Sequence, residues 1–218
     1  MPLASADLGS LGMSPMTDPA APLTATIRVR GLTVRRGERL LFEGLDFDVA
    51  PGNVLLVRGP NGVGKSTLLM TLAGIVRAEA GTIEGIEPTQ LHLLNYQSGL
   101  KGRLSVAENL RFWRDMNGPG GLTIEAALDR VGIGTLAGLE TGYLSSGQLR
   151  RLSLARLLVS PRPIWLLDEP SATLDAAGEA LLGRLIDAHR LTGGMAIIAT
   201  HHDLPLAETL GIDTLVLQ

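Results

Sequence analysis

Cysteine is absent from this chain of 218 residues. Disulfides, zinc–thiolate sites, iron–sulfur clusters and thiol nucleophiles are therefore excluded, and the composition suits a reducing compartment. Aromatic residues make up only 3%, so aliphatic side chains must fill any core. There is no basic excess. Lys and Arg number 19 against 22 Asp and Glu, a net charge of −3, and that balance does not attract nucleic acid. No apolar run approaches the roughly 18 residues needed to cross a bilayer. Residues 1–27 hold no Lys or Arg, so the charged start of a signal peptide is missing. Direct lipid insertion is not expected, and a role at a membrane requires another chain to supply the spanning helices. What the chain does have is 45% hydrophobic and 19% charged residues. That is enough apolar material for a core, at a length that suits one domain or one domain with an insertion.

Residues 1–26 are rich in Ala, Pro, Ser and Gly, keep no period, and read as a disordered extension, with Met13 or Met16 as alternative starts. The texture changes at Ile27. Residues 27–30 and 45–49 alternate apolar and polar, as half-buried antiparallel strands do. Residues 54–57, 91–94 (apart from His92), 164–167 and 195–199 are short apolar runs of the kind that parallel strands buried on both faces require, and a last strand is expected near 215–217. Helices are expected over 66–73, from the Ser105–Glu108 capping-box pattern to Met116, over 147–159, and over 176–191 behind Asp175. Buried strands alternating with helices predict an α/β core with a parallel sheet. Residues 97–143 show no strand pattern and read as part of an inserted helical subdomain, about 98–155.

Gly59-Pro60-Asn61-Gly62-Val63-Gly64-Lys65-Ser66 matches G-x-x-x-x-G-K-[ST], with a buried strand before it and a helix after it. The glycines let backbone N–H groups converge on phosphates, and the helix N-terminus adds positive potential. Lys65 is expected to reach β- and γ-phosphates, Ser66 to ligate Mg²⁺, and Thr67 to meet the α-phosphate. By itself this loop leaves kinases, GTPases and transporter ATPases open. A second buried strand ends in Asp168-Glu169. Asp168 is placed to hold Mg²⁺ and Glu169 to polarise an attacking water. Gln97 follows the 91–96 strand and can offer its carbonyl to Mg²⁺ or water. His201 stands at a strand exit, where its imidazole can meet a γ-phosphate. His92 and His189 read as ordinary structural or surface residues.

Leu144-Ser145-Ser146-Gly147-Gln148 precedes an Arg-rich helix. With the phosphate loop, Gln97, Asp168-Glu169, Ser171–Asp175 and Thr200-His201, it completes an ordered set. That set resembles the nucleotide-binding subunit of ABC transporters, from about residue 27 to the end. The resemblance implies a P-loop NTPase of the ABC-type ATPase fold: α/β, with a mixed sheet, an N-terminal antiparallel β part and an inserted helical subdomain. It implies ATP and Mg²⁺ as cofactors. It also implies that Ser145, Ser146, Gly147 and Gln148 act in trans on ATP bound to a facing subunit, so that a head-to-tail dimer completes two sites. Asp175 then belongs to the loop joining those sites, and His201 is the switch histidine. Two positions depart from the family. Ser146 replaces the first Gly of LSGGQ, which is tolerable if φ stays negative. Arg36 stands where an aromatic ring usually stacks on adenine, and a guanidinium can stack there instead.

Compact size, Leu110-Arg111-Phe112-Trp113 and the run from Leu144 to Leu152 resemble, more narrowly, the ATPase subunit of the cytochrome c maturation (haem exporter) system. That implies an integral-membrane partner subunit and a peripheral place on the cytoplasmic side of a bacterial inner membrane. The alternatives are an ATPase subunit for another small cargo and a soluble ABC-type ATPase that remodels a protein assembly. A small-molecule kinase leaves the signature loop unexplained.

Overall fold

A computed structural model describes residues 25–95, 99–208 and 211–218. The extension read over residues 1–26 falls almost wholly outside that range, as does Gln97. Five parallel strands form the centre, in the order β5 (Leu91–Leu94), β6 (Ile164–Asp168), β7 (Met195–Ala199), β3 (Val54–Arg58), β8 (Ile212–Val216). Three antiparallel strands form a second sheet, in the order β2 (Arg39–Val49), β1 (Ile27–Arg36), β4 (Ala80–Glu84). The expected antiparallel part and parallel core are both present, as two sheets.

The buried strands explain the layering. Successive side chains on a strand point to opposite faces. Val54 and Leu56 on β3, Trp165 and Leu167 on β6, and Ala196 and Ile198 on β7 enter one core. Their neighbours Leu55, Val57, Ile164, Leu166, Met195 and Ile197 enter the other. The first core is closed by the helices α2 (Val106–Asn117), α3 (Ile124–Arg130), α4 (Ser146–Val159) and α5 (Ala176–Leu191). The second is closed by α1 (Lys65–Leu72) and the antiparallel sheet. A strand serving two cores favours apolar side chains on both faces, which is why residues 54–57, 164–167 and 195–199 are unbroken apolar runs.

β1 buries Ile27 and Val29, then Leu32 and Val34. Strict alternation would have put Gly31 inside. The pairing runs Val29↔Phe47 and then Leu32↔Leu45, so β1 holds one extra residue there. Gly31, at φ 58°, absorbs that bulge and restores the inward face. At the start of α2 the expected capping box is present. Glu108 N donates to Ser105 Oγ at 3.2 Å, and Ser105 N donates to Glu108 Oε2 at 2.8 Å.

Of the two readings open for His92 and His189, structural or surface, the structure selects the first. His92 and His189 are inside the fold. His92 on β5 lies opposite Trp165 on β6, and His189 stacks on the same indole with ring centroids 3.9 Å apart. Burial pushes each imidazole down to about 4. Both are therefore neutral when native, whereas the unfolded chain protonates them near 6.5. Lowered native values mean that the unfolded state binds more protons as pH falls. Stability should thus drop between pH 6.5 and 4, by about 3 kcal/mol per histidine at most. Urea unfolding across that window measures it. His189→Phe, which keeps a flat ring against Trp165, should flatten the profile, and an unchanged profile would mean that these rings do not set the acid limit.

Candidate active site

The phosphate loop joins β3 to α1. Its shape depends on glycine. Gly59, Gly62 and Gly64 sit at φ 141°, 79° and 118°, outside the range of ordinary L-residues. A Cβ on Gly59 would come within 2.5 Å of the Leu217 carbonyl oxygen. Gly64 caps α1 with no side chain, so the first amides of the helix are left for a ligand. Lys65 is buried, and its Nζ donates to the carbonyls of Gly59 at 2.8 Å and Pro60 at 3.2 Å. An ammonium has three donors, so one remains.

That donor faces a cavity of about 360 Å³ shaped by Asn61, Gly62, Gly64, Lys65, Ser66 and Thr67, with Asp168 and Glu169 opposite. Val63 does not line it, because its side chain belongs to the core beside Gly59. Burial raises the Asp168 carboxyl above its usual range, the Ser66 hydroxyl bonded to it works the other way, and the Glu169 charge raises it further. Ser66 and Asp168 are hard oxygen donors on one cavity. Among the described residues no group of three or more His, Cys, Asp or Glu converges. This donor pair suits a hard divalent ion that takes its remaining ligands from phosphate and water, which is magnesium chemistry rather than a zinc cage.

Glu169 follows β6 but leaves strand geometry at once, with φ 44°. Its N–H still donates to Ala199 O at 2.8 Å, so the backbone is anchored to β7 while the side chain is swung out of alternation. A non-glycine residue held in the left-handed region is strained by about 1–3 kcal/mol, and such strain clusters at functional sites. The turn brings Glu169 Oε1 to 3.0 Å from Nδ1 of His201, which projects half-exposed from the end of β7. Protonated at Nδ1, that imidazole donates to the carboxylate.

The β1–β2 hairpin closes the rim. Arg36 and Arg39 face each other across its Gly37 turn, and both line the cavity with Leu41. The motif reading places Arg36 there but neither Arg39 nor Leu41. Their signal is the hairpin itself, since whatever pairs with Arg36 shares its end of the sheet.

Ser145, Ser146, Gly147 and Gln148 line a second cavity, also about 360 Å³, with Arg151, Thr173, Leu174 and Asp175. It shares no lining residue with the first. Ser145 and Gln148 form a capping box at the start of α4, with Ser145 N donating to Gln148 Oε1 at 2.9 Å. The amide of Gln148 is thus engaged within its own loop. Ser146 is the first helical residue and has no positive φ, so its hydroxyl replaces a glycine hydrogen without backbone strain. Asp175 caps α5 through Gly178 N at 2.8 Å and pairs with Arg151 at 2.9 Å. Both interactions hold its carboxyl below the usual range, the Gly178 bond first.

Comparison with known proteins agrees with this geometry. A family model described as ABC transporter matches residues 42–172. The chain is 47% identical over 182 residues to the cytochrome c biogenesis ATP-binding export protein CcmA of Rhodopseudomonas palustris (strain HaA2), covering 80% of this chain and 91% of that one. It is 48% identical over 188 residues to the protein of the same name in Ruegeria pomeroyi, covering 86% and 91%. Among solved structures, a putative ABC transporter (ATP-binding protein) from Pyrococcus furiosus superposes with a TM-score of 0.76 at 25% identity, over 88% of this chain and 98% of that one. The chain belongs to the ABC transporter family and, within it, to the cytochrome c biogenesis ATP-binding export proteins.

Proposed function

We propose that the chain is the ATP-hydrolysing subunit of a membrane ABC transporter that powers haem delivery for c-type cytochrome biogenesis. One observation supports the chemistry above all. Lys65, Ser66, Asp168 and Glu169 converge on one cavity, and Glu169 Oε1 lies 3.0 Å from His201 Nδ1. Lys65 and the amides of the phosphate loop bind the β- and γ-phosphates of ATP. Ser66 and Asp168 would hold Mg²⁺, which would neutralise charge on the phosphate oxygens. Glu169 takes a proton as water attacks the γ-phosphorus and the bond to the β–γ bridging oxygen breaks, leaving ADP and phosphate. His201 orients Glu169. Arg36 stacks on the base, with Arg39 beside it.

The two cavities supply a phosphate loop and a signature loop that do not meet. A head-to-tail dimer brings Ser145, Ser146 and Gly147 against the partner's nucleotide, where hydroxyls and the α4 N-terminus form an anion site. Residues 98–155 act as the helical subdomain. Among the described residues no helix is long and apolar enough to cross a membrane. An integral-membrane subunit of the cytochrome c maturation system is the docking partner, and the chain is peripheral on the cytoplasmic side of a bacterial inner membrane.

Lys65→Ala tests this reading. Loss of a buried charge-assisted donor costs about 1.5–3 kcal/mol, roughly 10- to 100-fold in ATP affinity. Hydrolysis should fall with it. Affinity and phosphate release equal to the parent chain would remove the assignment of the loop.

A further inference from the structure

β3 is apolar from Val54 to Val57 and then ends in Arg58, immediately before Gly59 of the phosphate loop. Strand alternation sends Arg58 to the face that carries Val54 and Leu56. There its side chain is 23% exposed. It donates from Nη1 to the His202 carbonyl at 2.9 Å and from Nη2 to Asp203 Oδ1 at 2.9 Å. These acceptors sit on the two residues that follow His201.

In the loop they belong to, the rings of His201 and His202 lie with centroids 3.9 Å apart, and Thr200 Oγ1 donates to the His202 carbonyl at 3.4 Å. Thr200 N continues the β3–β7 ladder onto Val57 O at 3.2 Å, and His202 N donates to Thr200 Oγ1 at 3.1 Å. His201 itself hangs between Thr200 and the Arg58 clamp, and its ring has one protein hydrogen bond among the described residues, to Glu169. We infer that Arg58 is a positioning residue: from the root of the phosphate loop, its guanidinium fixes the turn that holds His201 against Glu169. One strand end thereby sets the phosphate-binding backbone and, through the clamp, the partner of the proposed base. A planar fork with two parallel donors suits this task, and an ammonium does not reproduce it.

The inference rests on the proposed role of His201, so the test measures both. Turnover and KM for ATP are compared for the full chain in its transporter complex, as parent, His201→Ala, Arg58→Met and Arg58→Lys. The chain has four histidines, so ring NMR of histidine-labelled protein resolves them, and His201→Ala identifies the His201 signal. Arg58→Met should lower kcat about tenfold, within the range of coupled neighbours, with KM little changed. The His201 ring signal should shift, while the buried His92 and His189 signals stay in place. Arg58→Lys should recover part of the rate, since one ammonium replaces only part of the fork. If Arg58→Met does not fold, Asp203→Asn on an exposed side chain should give a smaller kcat loss with the same shift of His201. Unchanged kcat and an unmoved His201 signal in these variants would overturn the role of Arg58 even where His201→Ala is slow. If His201→Ala keeps parental turnover, the role of His201 falls, and that of Arg58 falls with it.

Discussion

Replacing Glu169 with Gln should cut ATP turnover of the assembled transporter by about 10²- to 10⁴-fold, the usual contribution of a positioned general base. ATP binding should survive. The reason lies in how the carboxylate is held. Its Oε1 faces His201 at 3.0 Å, while Oε2 is buried and has no hydrogen-bond partner among the described residues. The imidazole thus orients a carboxylate that lines the same cavity as Lys65, Ser66 and Asp168. An amide keeps the shape, and its oxygen can still take the His201 bond, so the loop should stay in place. It has no basic oxygen for the proton. Lys65, Ser66 and Asp168, which line the same cavity, are unaltered. The variant should therefore accumulate as an ATP-bound dimer, visible by size-exclusion chromatography with nucleotide. Turnover near the parental rate would show that another group is the base and that the φ 44° turn at Glu169 serves some other purpose.

Much of this arrangement is legible in the amino-acid sequence itself. β3, β6 and β7 announce themselves because a strand with a core on each face favours apolar side chains on both. The phosphate loop is legible because its conformation needs glycine at fixed places. The α2 capping box is legible because two reciprocal hydrogen bonds fix Ser and Glu three residues apart. What stays hidden depends on contacts that no local pattern records. β4 contains Ala80 and Gly81 and looks like a turn. Gly81 is needed because β1 comes so close that a Cβ there would meet Gly31 O and the Leu32 backbone at 2.6 Å. α3 has only seven residues and too little periodicity to stand out. Whether His92 and His189 are structural or surface residues stays open in the sequence, because nothing local says that each lies beside Trp165. Arg39 enters the nucleotide cavity only through the register of the hairpin. The strained φ values at Glu169 and Thr173 are equally invisible, since neither residue type advertises a left-handed backbone.

Gly147→Asp should nearly abolish hydrolysis while ATP binding to the isolated subunit is unchanged. Gly147 lies in the first turn of α4, beside the hydroxyls of Ser145 and Ser146. A carboxylate at a helix N-terminus favours the helix by about 0.3–1 kcal/mol, so the charge itself does not threaten the fold. A new Cβ would sit 3.0 Å from Thr173 O, a contact that asks the loop to give by a few tenths of an ångström. Gly147→Asn imposes the same contact without the charge, so comparing the two isolates the electrostatics. In the proposed dimer the Asp faces the partner's γ-phosphate. Two like unit charges about 4 Å apart near a protein surface repel by about 4 kcal/mol, nearly a thousandfold in an equilibrium constant. That penalty falls on closing the dimer and not on filling the first cavity, which Gly147 does not line. Nucleotide affinity of the monomer, ATP-dependent dimerisation and phosphate release should therefore separate, with only the first preserved. Asn should sit much closer to the parent than Asp does. Equal loss of monomer affinity would mean that the signature loop serves the nucleotide of its own chain, and the head-to-tail arrangement would be wrong.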